Sequence, residues 1–187
     1  ERFMVCLLRD GGLRIGEALG LRRSDLHLLP DSRSVSCTVL GAHVHVRHRA
    51  NPNGALAKSR FARTVPASPA VLSTYADYQF ERTEILGDDD CDMVLVNLYH
   101  DPLGAPMTYR AAKRFFERLA TECGFAVRPH MLRHTAATNW VRAGVDLDVV
   151  QRLLGHASLA STAVYLHARD VDKRRAVEAV AAGERFR

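Results

Sequence analysis

Six side chains in this chain of 187 residues combine a type that acts on phosphate with a position awkward for a plain core: Arg14, Lys58, His130, Arg133, His156 and Tyr165. Arg14 stands just after Gly11 and Gly12, at the start of the apolar stretch "LRIGEALGL". The first turn of a helix presents free N–H groups and the positive end of the helix dipole, which together make an anion site. An arginine there opposes the dipole unless it is aimed at an anion. Lys58 lies where a turn-rich loop meets a strand. His130 and Arg133, three residues apart, share a helix face. His156 follows the helix-stopping Gly155, and Tyr165 comes nine residues later in "LLGHASLASTAVYLH".

Such a set fits phosphoryl transfer without a metal. Arginines neutralise phosphate charge and bind it bidentately. A tyrosine's ordinary pKa of about 10 makes it a weak nucleophile unless the site stabilises charge as it develops. A departing sugar alkoxide is a strong base and needs a general acid. The sequence shows no serine or cysteine nucleophile motif and no carboxylate cluster suited to magnesium. Taken singly, each of these residues also fits an ordinary packing or solvated role. Composition and periodicity leave both readings open.

The elements that must position them read as mostly α with a small antiparallel β-sheet (α+β). Residues 1–9 are an apolar helix that ends at Asp10-Gly11-Gly12. A second helix starts near Arg14, and "RSDL" at 23–26 is a cap and short turn. Alternation predicts strands at 33–40 ("RSVSCTVL"), 42–49 ("AHVHVRHR") and 60–66 ("RFARTVP"), the last closed by Pro66. Ser68 and Pro69 open a helix over 68–86. Residues 93–98 are a short strand or buried segment. Helices follow over 108–123 (cap Thr108), 128–144 and 146–155 (cap Asp146). Further helices start at Ser158 and run over 170–182.

The composition is that of a globular protein, with 47% hydrophobic and 25% charged residues. No apolar run approaches the roughly 18–20 residues that span a bilayer. The chain opens at Glu1 within an apolar helix and reads as a fragment of a longer protein. Four scattered cysteines without Cys-x-x-Cys spacing predict free thiols in a reducing cytosol. In "HVHVRH" at 43–48, His43 and His45 would share a strand face with Arg47. A cation beside two ligands makes a poor zinc site, so no metal is expected. Net charge is +5, and between Asp31 and Asp77 six cations stand without an anion: Arg33, Arg47, Arg49, Lys58, Arg60 and Arg63. That field suits a polyanion, with Arg47, Arg49, Arg60 and Arg63 as DNA contacts; a solvated basic hairpin is the plainer alternative. The acidic run "GDDDCD" at 87–92 looks like an exposed loop.

Four strings, "GGLRIGEALGL", "PHMLRHTAATNW", "LLGH" and "STAVYLH", resemble the signature boxes of the tyrosine recombinase, or phage integrase, family. Order and spacing agree from residue 1 to about 170. Arg14 and Glu17 match the first arginine and its acidic neighbour, Lys58 the hairpin lysine, and His130 and Arg133 the His-x-x-Arg pair. His156 matches the histidine after Leu-Leu-Gly, and Tyr165 the nucleophile. The resemblance implies that Arg14, Arg133 and His156 hold the scissile phosphate and Tyr165 attacks it, giving a 3′-phosphotyrosyl link. Lys58 would protonate the leaving 5′-oxygen, His130 would assist, and Glu17 would orient its neighbours. No cofactor is implied.

The partners implied are double-stranded DNA and a homo-tetramer formed on it through the C-terminal helix, in the cytoplasm of a bacterial or phage-encoded system. Residues 1–187 would be one catalytic domain, core 1–169 and tail 170–187, without the family's N-terminal DNA-binding domain. Gly16 and Met131 depart from the family's common serine or threonine and aspartate. A type IB topoisomerase, a non-catalytic DNA-binding module and a metal-dependent nuclease are the alternatives. The patterns "GLRIGEAL" and "LLGH" speak for the recombinase over the topoisomerase, and all six catalytic positions are filled, which argues against a non-catalytic module.

Overall fold

The computed structural model describes residues 2–57, 61–158, 160–163, 165, 177, 178 and 181. Helix α1 (Arg2–Arg9) carries Phe3, Met4, Leu7 and Leu8 on one face, all buried. That stripe packs on α3 (Pro69–Leu86) and α5 (Pro129–Arg142). Phe3 lies against Tyr75 and Tyr78 of α3, with ring centroids 5.1 and 5.7 Å apart. Leu13, Leu21 and the short helix α2 (Ile15–Leu19) extend this core, and α4 (Tyr109–Cys123) closes it with Ala112, Phe115 and Phe116. The caps read in the sequence form: Ser68 Oγ accepts from the Val71 N–H at 3.3 Å, and Thr108 Oγ1 from the Ala111 N–H at 3.2 Å. Asp146 precedes α6 (Leu147–Leu154) without a side-chain cap bond.

Three antiparallel strands form one sheet in the order β1 (Leu26–His27), β2 (His43–Val46), β3 (Arg63–Pro66). Leu26 pairs with Val44, Val44 with Val65, and Val46 with Arg63. With side chains alternating, Val44, Val46 and Val65 face the core. His27, His43 and His45 fall on the other face. The expected strand at 33–40 is absent. Arg33–Val35 form a 3-10 turn, and Ser36 adopts a left-handed φ of 58° that ends the alternation. Val35 and Leu40 are exposed, so this segment has no core to bury. Arg47, expected to spoil a metal site on the histidine face, has left the strand and turns toward Asp25 at 3.6 Å.

Residues 93–98 are a mostly buried, bent segment held by isolated bridges, Arg22 to Met93 and Val96 to Pro106. The acidic loop is anchored rather than free. Arg82, fully buried on α3, donates to both Asp89 oxygens and to the carbonyls of Cys91, Met93 and Val94. A second small core joins α5 and α6 through Ala137, Val150, Leu154 and Tyr165. Helix α7 (Ala160–Ala163) follows, with Ser158 Oγ accepting from the Ala160 N–H. The expected terminal helix at 170–182 lies almost wholly outside the described residues. No described helix is long and apolar enough to cross a membrane.

Candidate active site

Glu17 is the hub. It sits in the first turn of α2, 2% exposed, where its carboxylate accepts the Arg14 backbone N–H at 2.8 Å and the Arg14 guanidinium at 2.9 Å. Arg63 adds a bidentate pair at 3.0 and 2.7 Å, and Arg133 stands 3.8 Å away. Burial pushes the Glu17 carboxyl up, but hydrogen bonding and attraction from Arg63, then Arg14, outweigh it and hold the pKa below the usual range. One ionised carboxylate thus stands among three guanidiniums.

The end of α6 fixes those guanidiniums. The last carbonyls of a helix have no partner within it and carry the negative end of its dipole. Arg63 donates to Leu153 O at 2.8 Å, Arg133 to Leu154 O at 2.6 Å, and Arg14 to Leu154 O and Gly155 O, each at 3.4 Å. Arg133 also donates to Gly12 O at 2.6 Å. Its side chain is buried, and its pKa falls to about 10 through burial first and repulsion from Arg14 second, only partly offset by Glu17.

Gly155 then takes the left-handed conformation, φ 63°, that turns the chain out of α6 and sets His156 beside the cluster. His156 Nδ1 pairs with Thr162 Oγ1 at 2.9 Å. Burial, then the charges of Arg133, Arg14 and Arg63, lower its pKa to about 4, so the imidazole is neutral near pH 7. Tyr165 is 5% exposed and packs in the second core. Its ring meets His134 edge-on at 4.7 Å and lies nearly parallel to His156 at 6.4 Å. Its phenol is within electrostatic reach of Arg133. Arg14, Arg133, His156 and Tyr165 therefore converge.

His130 is exposed in the first turn of α5 and lines a cleft of about 390 Å³ with Arg14, Gly16, Leu56, Tyr109 and Arg133. Gly16 has a local reason. A Cβ there would collide with the Tyr109 hydroxyl and the Leu56 carbonyl, so a serine or threonine would have to displace both. Lys58 and Arg60 lie outside the described residues.

Three of the expected DNA contacts meet acids from outside the basic segment. Arg63 was expected to face DNA, but strand alternation places it on the Val65 face, and it turns inward to Glu17 with its side chain 8% exposed. Arg49 pairs with buried Asp25, and Arg47, half exposed, stands near the same carboxylate. Thr162 and His134 carry no sequence signal for this site. The structure adds both, along with Arg63 as a partner of Glu17.

Residues 1–171 match the phage integrase family. Transposase A from transposon Tn554 of Staphylococcus aureus is 33% identical over 177 residues, 93% of this chain and 45% of that protein. Tyrosine recombinase XerC of Listeria monocytogenes is 33% identical over 171 residues, 89% of this chain and 49% of that protein. A solved structure of the Tn1549 transposon integrase in complex with a circular intermediate DNA matches with a TM-score of 0.67 at 25% identity, covering 94% of this chain and 56% of that one. The chain spans about half the length of the curated relatives it matches. The family match takes in every element that positions Arg14, Arg133, His156 and Tyr165, and the chain belongs to the phage integrase family.

Proposed function

We propose that this chain breaks and rejoins double-stranded DNA at specific sites through a covalent 3′-phosphotyrosyl intermediate. One observation carries the reading: Tyr165 is packed against His134 and His156 with its phenol in reach of Arg133, where guanidiniums outnumber carboxylates three to one. That excess positive charge suits a phosphodiester, whose charge grows on its non-bridging oxygens in the transition state.

The tyrosine oxygen attacks phosphorus, a Tyr165–phosphorus bond forms, and the bond to the 5′-oxygen breaks. Arg14 and Arg133 donate to the non-bridging oxygens. His156, neutral and held at Nδ1 by Thr162, donates from Nε2. Lys58 gives its proton to the leaving 5′-oxygen, and His130 assists proton transfer with Tyr165 or braces the phosphate, roles supported by the family resemblance. Attack by a 5′-hydroxyl reverses each step, so neither ATP nor a metal is consumed.

The DNA partner is supported by the family match and by the DNA complex of the related integrase. The resemblance further supports assembly as a tetramer on DNA through segment 170–182, in the bacterial cytoplasm. Incubation with a nicked suicide substrate tests the chemistry. A covalent protein–DNA band on a denaturing gel is expected, and Tyr165→Phe should abolish it while still binding DNA. A band that survives Tyr165→Phe would overturn the assignment.

A further inference from the structure

On the outer face of the sheet stand three histidines and a cysteine that the phosphoryl-transfer site does not use. The β1–β2 register sets His27 directly opposite His43, and His45 follows two residues along the same face. Cys37 comes from the connection between those strands and closes over them. Cys37 Sγ lies 3.3 Å from His43 Nε2 and 3.5 Å from His45 Nε2, and the two Nε2 atoms are 3.1 Å apart. One ligand atom from each of the four residues lies within 4.8 Å of the others.

The three spacings among Cys37, His43 and His45 lie close to the edges of a tetrahedral shell, and His27 completes the set within 4.8 Å. Zinc–nitrogen bonds of about 2.0–2.1 Å and a zinc–sulfur bond of about 2.3 Å put neighbouring ligands about 3.3–3.6 Å apart. Two further details fit. His43 Nδ1 donates to the Gly41 carbonyl at 2.7 Å, which leaves the lone pair on Nε2, the atom facing the cluster. His27 Nδ1 is buried and has no hydrogen-bond partner. An orphaned buried nitrogen costs stability, and ligation through that atom would satisfy it.

We propose that His27, Cys37, His43 and His45 bind one zinc ion as a structural site. Four protein ligands fill the tetrahedron and leave no open position for substrate, unlike a catalytic zinc. The site lies on the histidine face of β2, whereas Arg63, which holds Glu17, is paired with Val46 and turns to the opposite face. The ion ties the β1–β2 connection to the sheet. That connection needs an anchor, since Leu29, Val35 and Leu40 are exposed and its regular structure is one 3-10 turn. The inference is independent of the chemistry at Tyr165.

The test uses the whole chain without a histidine tag. After dialysis, elemental analysis should find about one zinc per chain, and metal removal should lower the melting temperature. Cobalt(II) added to the stripped protein should give the intense visible bands of tetrahedral coordination and a near-ultraviolet thiolate-to-cobalt band. Cys37→Ser should lose the thiolate band, with circular dichroism reporting its fold. The wild-type cobalt spectrum decides the matter even if that variant does not fold. No retained zinc together with a weak, octahedral cobalt spectrum would overturn the proposal. A thiolate band that persists in Cys37→Ser would also overturn it.

Discussion

Arg82 and Arg133 are both buried arginines that donate to backbone carbonyls near a carboxylate, yet their surroundings shift them in opposite directions. Burial lowers the pKa of Arg82, but its hydrogen bonds and attraction to Asp89 more than compensate, and it ends above its ordinary value. Arg133 suffers the same desolvation, adds repulsion from Arg14 and Arg63, and receives only a distant contribution from Glu17. The first site gathers Asp88, Asp89 and Asp90 around Arg82 and Arg23, with Asp89 paired to both arginines, and holds a loop in place. The second keeps positive charge that its own acid does not cancel. Such an imbalance suits an anionic substrate, and this difference sets the anchoring Arg82 apart from Arg133, the arginine proposed to act on phosphate.

Exchanging each arginine for alanine gives the widest separation. Arg133→Ala should cut covalent-adduct formation by a factor of about 10²–10³, the loss typical of one transition-state donor. Arg82→Ala should instead lower stability by about 3 kcal/mol, read as a denaturant midpoint, because it strands Asp89 and three carbonyls. Its folded fraction should cleave normally. Equal cleavage defects per folded molecule would erase the distinction.

The carboxylates sharpen the comparison. Glu17→Gln leaves three guanidiniums without a counter-charge and should destabilise by about 3 kcal/mol. Inorganic phosphate should restore part of the melting temperature. Phosphate should do little for Asp89→Asn, where Arg82 is buried against backbone carbonyls, Arg23 is part exposed, and Asp88 and Asp90 stand close by. Rescue of both variants alike would count against a reserved anion site.

His156 reports the same charge imbalance through pH. Its folded pKa of about 4 lies below the unfolded value, so the folded state favours the neutral ring. That contribution to stability is fully present above the unfolded pKa of about 6.5 and is lost as pH falls toward the folded value. In the DNA-free protein the His156 ring resonances should titrate near pH 4, and bound phosphate should move the midpoint upward. A midpoint at the ordinary histidine value would mean that the guanidiniums do not act on it. The smallest effect belongs to Arg47, half exposed near Asp25. Arg47→Ala should weaken DNA binding across sequences and reduce the salt slope by about one ion. An unchanged slope would place Arg47 off the DNA.

What the sequence disclosed follows from the range of each interaction. Ser68 and Thr108 were legible as caps because a cap bond spans three residues. His130 and Arg133 were legible as one helix face for the same reason. Arg63 was misjudged because its segment contains no acid, while Glu17 and Asp25 arrive from elements tens of residues away. The alternation of Arg63 with Val65 does carry the signal of an inward side chain. Strand β1 is two residues long, too short for any periodicity. Thr162, His134 and the meeting of His27 and Cys37 with His43 and His45 depend on turns and register that no local pattern encodes.

The most direct measurement is to map the covalent adduct. A nicked suicide duplex trapped by the chain can be digested with protease and nuclease and the linked peptide sequenced by mass spectrometry. The expected result is a single nucleotide joined through its 3′-phosphate to Tyr165, with a free 5′-hydroxyl on the released strand. Attachment at any other residue, or through a 5′-phosphate, would contradict the assignment of Tyr165 as the nucleophile.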